Sequence, residues 1–293
     1  MAERDPWTIE SLLKWAADDF RAKGIDSPRL DAEVLLGWAT GKTRIQLVIE
    51  SKSELNGEGL ARFREAVKRR RTREPVAYVL GQREFFGRMF RVDKRVLVPR
   101  PDTEALVEVT LERTRHLSMS MRALDLCTGS GCVGITLARE RPTTQIVMTD
   151  MSAHALVVAR ENALRLGAYN LALFQGDLFA ALREHTAASI RFDVIASNPP
   201  YIASEEIPAL MADVRDFEPK LALDGGKDGL DLVRRIVKEA PAHLEKNGIV
   251  ALEIGFDQAE RTRAIFLEHG YADIETKRDY GKIERVISAR WPG

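Results

Sequence analysis

Cysteines, histidines at metal-ligand spacing and long apolar runs are scarce or missing in this 293-residue sequence, and each absence excludes a class of protein or site. Only two cysteines occur, Cys127 and Cys132, and the five histidines show no metal-ligand spacing, so we expect neither a disulfide framework nor a metal site. No apolar run approaches the roughly 20 residues of a membrane span, and the N-terminal segment lacks the pattern of a secretory signal. We therefore expect a cytoplasmic protein that does not bind membranes.

An excess of charge of one sign is also missing. The 44 lysines and arginines balance the 44 aspartates and glutamates. A protein that holds long stretches of nucleic acid needs a surplus of basic residues, so no stable, direct nucleic-acid binding is expected. The length favours two domains, and an apolar content of 45% is enough for a core in each.

The first part of the chain has helical periodicity. Over residues 7–80 the apolar residues recur at helical spacing, with Thr8 and Ser27 as possible helix starts, which predicts a bundle of four or five short helices. A basic run at 68–73 ends the bundle. The run fits either a solvated helix end or a docking patch for an acidic or RNA-bound partner.

The pattern changes after Pro75. Val76–Leu80 and Glu84–Val92 are each predicted to be a strand, and together they would form a hairpin around a glycine turn. Prolines then break the chain near residues 99–101, and Thr103 is well placed to begin a helix over Ala105–Arg115.

Strands and helices alternate from Arg122 onward. The predicted helices cover about 133–141, 153–166, 229–245 and 257–269. The predicted strands are Ala123–Cys127, Gln145–Thr149, Leu171–Gln175, Phe192–Ser197, Ile249–Ile254, Ala272–Lys277 and Arg285–Arg290. Alternation of this kind predicts a mainly parallel sheet with helices on both faces, and the short connection between the last two strands predicts an antiparallel edge hairpin. Ligands of such sheets bind beyond the carboxyl ends of the strands.

A glycine-rich loop follows the first of these strands. Gly129, Gly131 and Gly134 have the spacing G-x-G-x-x-G immediately before a predicted helix, and Asp150 follows the next strand. The pattern is typical of proteins that bind a nucleotide-containing cofactor. It fits a nicotinamide-dependent dehydrogenase as well as an S-adenosylmethionine-dependent methyltransferase.

Acidic residues at the strand ends favour the methyltransferase. Asp125 would oppose a pyrophosphate but suits the ammonium group of a methionine moiety. Asp150 could accept hydrogen bonds from both ribose hydroxyls. Asp177 could accept one from the adenine amino group while Leu178 packs on the ring, and a capping role at the surface is the alternative for Asp177.

The fourth strand ends in Asn198-Pro199-Pro200-Tyr201. Two prolines force the chain out of the sheet in a rigid shape. An amide or exocyclic amine nitrogen is a poor nucleophile, and its two N–H groups need two fixed acceptors, which the Asn198 side chain and the Pro199 carbonyl could supply. Tyr201 could stack on the planar group. This tetrapeptide removes the dehydrogenase interpretation.

Six segments together resemble the glutamine methyltransferases of bacterial peptide chain release factors, the PrmC or HemK type. The resemblance covers nearly the whole chain. The segments are Glu74–Gly81, Glu84–Gly87, Val98–Glu104, Asp125–Gly131, Ser197–Ile202 and Asp279–Arg285. The tetrapeptide also occurs in enzymes that methylate amino groups of DNA and RNA, whereas the linker motifs joined to a helical N-terminal domain are specific to this family.

The resemblance implies an α/β fold of the class I S-adenosylmethionine methyltransferase type, which is Rossmann-like with a seven-stranded, mostly parallel sheet. It implies a helical substrate-recognition domain over residues 1–81, a β-hairpin linker over 82–98 and a methyltransferase domain over 99–293. The implied activity is methyl transfer from S-adenosyl-L-methionine to N5 of the glutamine in the Gly-Gly-Gln motif of release factors 1 and 2.

The site residues follow from the same match. The predicted cofactor-binding residues are Asp125, Cys127, Thr128, Gly129, Ser130, Gly131, Asp150, Asp177, Leu178 and Asn198. Asn198, Pro199, Pro200 and Tyr201 are predicted to bind the substrate glutamine, with Asn198, Pro199 and Tyr201 as the catalytic group.

Two positions depart from the family pattern, and two alternatives are left, of which a cofactor-binding scaffold without catalysis is disfavoured by the intact Asn198–Tyr201 tetrapeptide and a rival enzymatic function is the main one. Cys127 replaces a common glycine, and Leu178 occupies an often aromatic position, which puts adenine stacking in doubt. The rival is a nucleic-acid amino-methyltransferase acting on adenine N6, cytosine N4 or guanine N2 of ribosomal RNA. The zero net charge and the lack of an inserted recognition domain count against it.

Overall fold

The computed structural model describes residues 7–117, 121–183, 190–279 and 281–293. The first six residues of the predicted helical domain and Tyr280 of the sixth family segment lie outside these ranges. The chain divides into two compact units. One unit comprises the described residues up to Gly81 together with Ala212–Phe217, and the other comprises Gln82–Met211 and Glu218–Gly293.

The first unit is helical, as the periodicity predicted. Its helices before Gly81 are α1 (Ile9–Ala22), α2 (Pro28–Thr40), α3 (Arg44–Ile49), α4 (Gly57–Arg71) and α5 (Val76–Leu80). Thr8 caps α1 by accepting a hydrogen bond from the Ser11 backbone N–H, whereas Ser27 makes no such bond and α2 instead has a proline in its first turn. Phe20, Leu35 and Phe63 are fully buried in the shared apolar core.

The predicted strand over Val76–Leu80 is wrong, because this segment is helix α5. Pro75 precedes its first turn, and Gly81 ends it in the left-handed conformation at φ +70°. Ala77, Tyr78 and Val79 are consecutive and all buried. Five apolar residues in a row show no period that separates a strand from a short buried helix.

The basic run at the end of α4 is partly solvated, with Lys68 and Arg71 exposed, but its arginines are paired with carboxylates of the same unit. Arg70 is only 5% exposed and forms ion pairs with Asp31 at 2.8 Å and Asp213 at 2.6 Å. Arg73 also pairs with Asp213, which lies in the short helix α9 (Ala212–Arg215) of the same unit. Similar pairs join Arg69 to Glu74 and Arg71 to Asp19. Carboxylates of this unit therefore neutralise most of the run.

The second unit begins with the predicted hairpin, but the turn lies within a segment that was predicted to be a single strand. Strands β1 (Gln82–Phe85) and β2 (Arg88–Arg91) pair antiparallel. Phe86 and Gly87 form the turn between them, both with positive φ. Phe85 and Phe90 are fully buried and contact each other edge to face.

The mainly parallel seven-stranded sheet is confirmed. Its strands are β3 (Arg122–Leu126), β4 (Gln145–Asp150), β5 (Leu171–Gln175), β6 (Phe192–Ser197), β7 (Leu244–Glu253), β8 (Ala272–Arg278) and β9 (Glu284–Arg290). The order across the sheet is β5-β4-β3-β6-β7-β9-β8. Strands β3 to β7 are parallel, and β9 is antiparallel to both neighbours, which forms the predicted edge hairpin with β8. From β3 the chain adds β4 and β5 on one side of the sheet and then β6 and β7 on the other. A ligand site is therefore expected beyond the carboxyl ends of β3, β4 and β6.

The remaining helices are α6 (Glu104–Arg113), α7 (Cys132–Glu140), α8 (Ala153–Leu166), α10 (Asp231–Glu239) and α11 (Ala259–Glu268). The helix predicted over 229–245 ends early, because Pro241 lies in a short 3₁₀ turn and β7 begins at Leu244. In the part of the chain that the structure describes, no helix has the length and apolar character needed to cross a membrane.

Candidate active site

The loop after β3 is a tight turn that only small residues permit. Gly129 and Gly131 have φ values of +55° and +83°, in the left-handed region that glycine adopts without strain. A Cβ atom on Gly131 would lie 2.6 Å from the Ile135 side chain, and one on Gly134 would lie 2.8 Å from that of Met148. The loop therefore packs α7 closely against the sheet.

Cys127 takes a glycine-like conformation, with φ +58°. This explains why the departure from glycine matters here, since a side chain in this region costs roughly 1–2 kcal/mol. Burial raises the pKa of its thiol, and the nearby Ser197 side chain lowers it by a smaller amount. The thiol therefore stays protonated.

Asp125 is buried within the end of β3, and it supports the loop. Its Oδ2 accepts hydrogen bonds from the Thr128 hydroxyl at 2.5 Å and from the Gly134 backbone N–H at 2.9 Å. Burial raises the pKa of Asp125 to about 7, and the negative charge of Asp150 adds to the rise. A cationic group bound beside Asp125 would therefore favour loss of the proton from its carboxyl group.

Asp150 lies at the carboxyl end of β4 and faces the same loop. One oxygen accepts from the Gly129 backbone N–H at 2.9 Å and the other from the Ser152 backbone N–H at 2.8 Å. Burial raises the pKa of this carboxyl group. Each oxygen retains a further lone pair, so the group can accept two more hydrogen bonds from a ligand.

Asp177 and Leu178 follow β5, and the structure gives them different surroundings. Asp177 forms an ion pair with Arg235 at 2.8 Å, with about two-fifths of each side chain exposed (42% and 44%). Leu178 is buried in an apolar cluster and has φ +49°. Both residues line the cavity described below.

The tetrapeptide leaves the sheet at the end of β6. Pro199 and Pro200 are buried, and Asn198 and Tyr201 are partly exposed. The Asn198 side-chain NH₂ donates to the Thr103 hydroxyl at 3.2 Å, and the Tyr201 hydroxyl donates to Glu253 at 3.4 Å. Burial raises the pKa of Tyr201, so its hydroxyl stays protonated.

Residues distant in sequence hold the tetrapeptide backbone. The buried Gln258 side chain donates to the Tyr201 carbonyl at 2.8 Å. Gly229 has φ +75°, and a Cβ atom there would lie 2.3 Å from the same carbonyl oxygen. The path of the tetrapeptide therefore depends on a close backbone approach that only glycine allows.

Sequence reasoning missed two side chains at this site, Thr103 and Glu253. Thr103 was expected to begin α6, but its hydroxyl makes no cap and instead contacts Asn198. Glu253 is 1% exposed at the end of β7, and burial raises its pKa to about 7. A single acid within the apolar run Val250–Ile254 is the signal that could have identified Glu253.

A cavity of about 200 Å³ joins these elements beyond the carboxyl ends of the strands. The predicted site residues that line it are Asp125, Cys127, Thr128, Gly129, Ser130, Asp150, Asp177, Leu178, Asn198 and Pro200. Gly131, Pro199 and Tyr201 are not among its lining residues. Arg95 and Arg100 also line it, paired with Asp93 and Glu218 respectively.

The wall chemistry fits S-adenosylmethionine better than a dinucleotide. Among the described residues, Asp125 and Asp150 have no ion-pair partner, and both line the cavity close to the glycine loop. Buried carboxylates of this kind attract a cationic ligand and repel a pyrophosphate. The donor set therefore suits a ligand that carries an ammonium and a sulfonium group.

Each of the two units contains a segment that matches a family of known proteins. Residues 11–81 match the family described as the PrmC N-terminal domain, and residues 101–214 match the Methyltransferase small domain. A methyltransferase from Pyrococcus furiosus, 20% identical over 71% of this chain and 91% of its own, has a TM-score of 0.52, which shows the fold alone.

Relatives of nearly equal length are much more similar in sequence. The release factor glutamine methyltransferase of Geobacter sulfurreducens is 42% identical over 284 residues, which cover 97% of each chain. That of Caulobacter vibrioides is 39% identical over 284 residues, or 96% of each chain. With these matches along its whole length, the chain belongs to the release factor glutamine methyltransferase family.

Proposed function

We propose that this protein methylates the side-chain nitrogen N5 of the glutamine in the Gly-Gly-Gln motif of peptide chain release factors 1 and 2. S-adenosyl-L-methionine is the proposed methyl donor. The observation that carries the proposal is that Asn198 lines the same cavity as Asp125 and Asp150, in a member of this family. A glutamine amide bound at Asn198 would then lie beside the cofactor.

The cofactor half of the cavity is assigned to the glycine loop and the acids around it. Asp150 accepts hydrogen bonds from the two ribose hydroxyls, and Asp125 pairs with the ammonium group. Leu178 contributes apolar surface for the adenine, and Asp177 accepts from its amino group if it exchanges Arg235 for the ligand. Backbone of Cys127, Thr128, Gly129 and Ser130 forms the floor, Gly131 shapes the turn behind it, and Asn198 lies at the boundary.

The substrate half is assigned to the tetrapeptide. The Asn198 side-chain oxygen and the Pro199 carbonyl each accept one N–H of the glutamine amide. With both protons held, the nitrogen lone pair turns out of conjugation and becomes available as a nucleophile. Pro200 and Tyr201 flank the planar amide. When bound, S-adenosylmethionine supplies an electrophilic methyl group with a neutral thioether as the leaving group.

The site needs no strong general base. The methylated amide nitrogen is a strong acid and loses its extra proton readily to water. Tyr201 keeps its own proton, because burial and the neighbouring Glu253 raise its pKa. We therefore assign Tyr201 to binding and shape rather than to proton transfer.

The rival function, amino-methylation of a nucleic acid, is not favoured. The relatives that match nearly the whole chain carry the release factor name. The protein also has zero net charge, whereas a protein that holds a nucleic-acid backbone usually carries a basic surplus.

One experiment tests the function directly. The full chain is incubated with methyl-labelled cofactor and a release factor, and the labelled residue is mapped by mass spectrometry. Label on the glutamine of the Gly-Gly-Gln motif supports the proposal, and a release factor with glutamate at that position is the control. Label on a bare oligonucleotide, with none on the release factor, would contradict it.

We also propose that residues 1–81 form a substrate-recognition domain, that 82–98 form a linker and that 99–293 form the catalytic domain. A glutamine and two glycines offer few atoms for tight binding, so remote contacts must hold the substrate protein. The arginines of the run at 69–73 are paired within their own unit, which makes them poor candidates for these contacts.

This role can be tested with substrates of different size. A free Gly-Gly-Gln peptide should be a very poor substrate for the full chain. A chain that starts near Gly81 should still bind cofactor but methylate intact release factor at least about tenfold more slowly. Cofactor binding is the control for folding, because Ala212–Phe217 loses its packing surface in that variant. Equal methylation by both chains would contradict a recognition role.

Release factors act on ribosomes, so we propose a cytoplasmic location.

A further inference from the structure

The side chain of Asn198 has a defined partner in the cavity wall, Thr103. Its Nδ2 donates to the Thr103 hydroxyl at 3.2 Å, and Thr103 is 1% exposed. Thr103 lies in the turn Pro101–Thr103 that precedes α6. Its hydroxyl also interacts with the carboxyl group of Glu253, which lies at the end of β7. Three separate elements of one unit therefore meet behind Asn198.

The chemistry of these groups fixes which end of the Asn198 amide faces Thr103. Above about pH 7 the Glu253 carboxyl group is ionised and can only accept hydrogen bonds, so the single Thr103 hydroxyl proton points to Glu253. The lone pairs of that hydroxyl then face Asn198 and require a donor, which is the NH₂ group and not the oxygen. The Asn198 oxygen is thereby left free for the cavity that Asn198 lines.

Burial raises the pKa of Glu253 to about 7, so its carboxyl group is ionised above that pH. Arg285 lowers the pKa of Glu253, against the effects of burial and of Asp102. Arg285 is itself held by Asp279 at 3.2 Å and by the Ile254 carbonyl at 3.3 Å. The Tyr201 hydroxyl donates to the same carboxyl group at 3.4 Å. The described residues of the segment Asp279–Arg285 do not line the cavity, but its Arg285 acts on Glu253, which contacts the tetrapeptide through Tyr201.

We propose that Thr103 and Glu253 are positioning residues that orient the Asn198 amide with its oxygen towards the nitrogen to be methylated. A reversed amide would present its NH₂ group to the NH₂ group of the glutamine, and two donors cannot bond each other. The inference rests on the proposed function, since it concerns how the same site holds its substrate.

Three variants of the full chain test this. Thr103→Val keeps the shape but removes the hydroxyl, and Glu253→Gln replaces an acceptor-only group with one that can also donate. Both should lower kcat for release factor methylation by about ten- to a hundredfold, the usual effect of a misplaced reacting group, while the cofactor Kd changes less than about twofold. Thr103→Ser restores the hydroxyl and should keep kcat within about threefold of the unchanged protein.

Thr110→Val is the matched control. Thr110 is a fully buried threonine of α6 whose hydroxyl donates to the Leu106 carbonyl at 2.7 Å. This variant loses a buried hydroxyl as Thr103→Val does, so it should lower the melting temperature without lowering kcat. Comparing the two separates a positioning role from a general loss of stability.

The outcomes are distinct. A kcat that Thr103→Val and Glu253→Gln leave unchanged would overturn the inference, and so would an equal loss in Thr103→Ser. If Thr103→Val does not fold, Glu253→Gln against Thr110→Val decides in the same way. Failure of the unchanged protein to methylate the glutamine would instead refute the proposed function, and the inference would fall with it.

Discussion

The two walls of the cavity are held in different ways. On the glycine-loop wall, the hydrogen bonds of Asp125 join residues 3 and 9 positions apart, and those of Asp150 join residues 2 and 21 apart. On the tetrapeptide wall, the bond from Asn198 to Thr103 spans 95 positions, and those of Tyr201 to Glu253 and Gln258 span 52 and 57. One wall is a local structure, whereas the other is assembled from distant segments.

The difference extends to the groups that form the bonds. Three of the four bonds on the loop wall are donated by backbone N–H groups, which every residue except proline supplies. On the tetrapeptide wall, side chains donate all three. Single substitutions should therefore affect the two walls separately, with loss of catalysis on one side and loss of cofactor affinity on the other.

Asn198→Ala should produce the largest effect and should be confined to the tetrapeptide wall. The variant removes one of the two acceptors that orient the glutamine nitrogen. Loss of one such positioned group typically lowers the rate by about 10²–10³. Cofactor affinity should stay within about fivefold, since none of the acids around the loop is changed. Single-turnover methylation and calorimetry measure the two quantities. Activity above about a tenth of the original would contradict the role given to the tetrapeptide.

Asp150→Ala should show the opposite pattern. It removes charge-assisted hydrogen bonds to the ribose that are worth on the order of 2–4 kcal/mol of cofactor binding. At saturating cofactor, kcat should recover most of its value. Asp150→Asn is the matched control, because it keeps an acceptor for the Gly129 N–H and should lose less affinity. An unchanged affinity in Asp150→Ala would exclude Asp150 from the cofactor site.

The same contrast explains what the sequence could predict. The loop wall was predictable because its glycines and acids lie within a short segment in a fixed strand, loop and helix order. The parallel strands were predictable because each is a short apolar run between turn residues. Thr103 and Glu253 were missed because their partners lie 50 or more positions away, and no local pattern marks such pairs.

Two errors have different physical origins. The arginines after Lys68 were expected to be solvated or to dock a partner, and Arg71 is exposed, but Asp19, Asp31 and Asp213 from other segments form ion pairs with these arginines. The segment Val76–Leu80 was predicted to be a strand because five apolar residues carry no period. Ion pairs from distant segments decided the first outcome, whereas α5 is bounded by Pro75 and Gly81, local signals that the strand prediction did not use.

The pH dependence of cofactor affinity provides a further test of the loop wall, because it depends on the ionisation of Asp125. Burial raises the pKa of Asp125 to about 7, so the carboxyl group is largely protonated below that pH. The cofactor ammonium group favours the ionised form, and binding therefore releases a proton in this range. Affinity should fall by up to about tenfold for each pH unit below 7 and level off above it.

Asp125→Asn provides the control for this titration. The amide can still accept from the Thr128 hydroxyl and the Gly134 N–H, so the loop keeps its support. The variant should bind cofactor more weakly at pH 8 and lose most of the slope between pH 6 and 7. Calorimetry in buffers of different ionisation enthalpy would measure the released proton directly. An unchanged slope in Asp125→Asn would assign the titration to another group, with Asp150 the nearest candidate.

Asp177→Ala should have the smallest effect and defines where the loop wall ends. Asp177 is paired with Arg235 at 2.8 Å, and both side chains are partly solvated. A ligand amino group would have to compete with this guanidinium for one carboxylate, and a single hydrogen bond of that kind contributes about 1 kcal/mol. An exposed ion pair contributes at most about 1 kcal/mol to stability. Cofactor affinity should therefore fall by no more than about fivefold, with little change in melting temperature.

Arg235→Ala separates the two roles of Asp177, because it removes the competing cation and leaves the carboxylate in place. If Asp177 accepts from the adenine amino group, this variant should bind cofactor at least as tightly as the unchanged protein. If Asp177 only pairs at the surface, both variants should leave affinity unchanged. A loss in Asp177→Ala as large as that in Asp150→Ala would instead extend the essential wall to the end of β5. The outer limit of the loop wall would then lie at β5, one strand beyond β4, and its boundary with the tetrapeptide wall between β3 and β6 would not change.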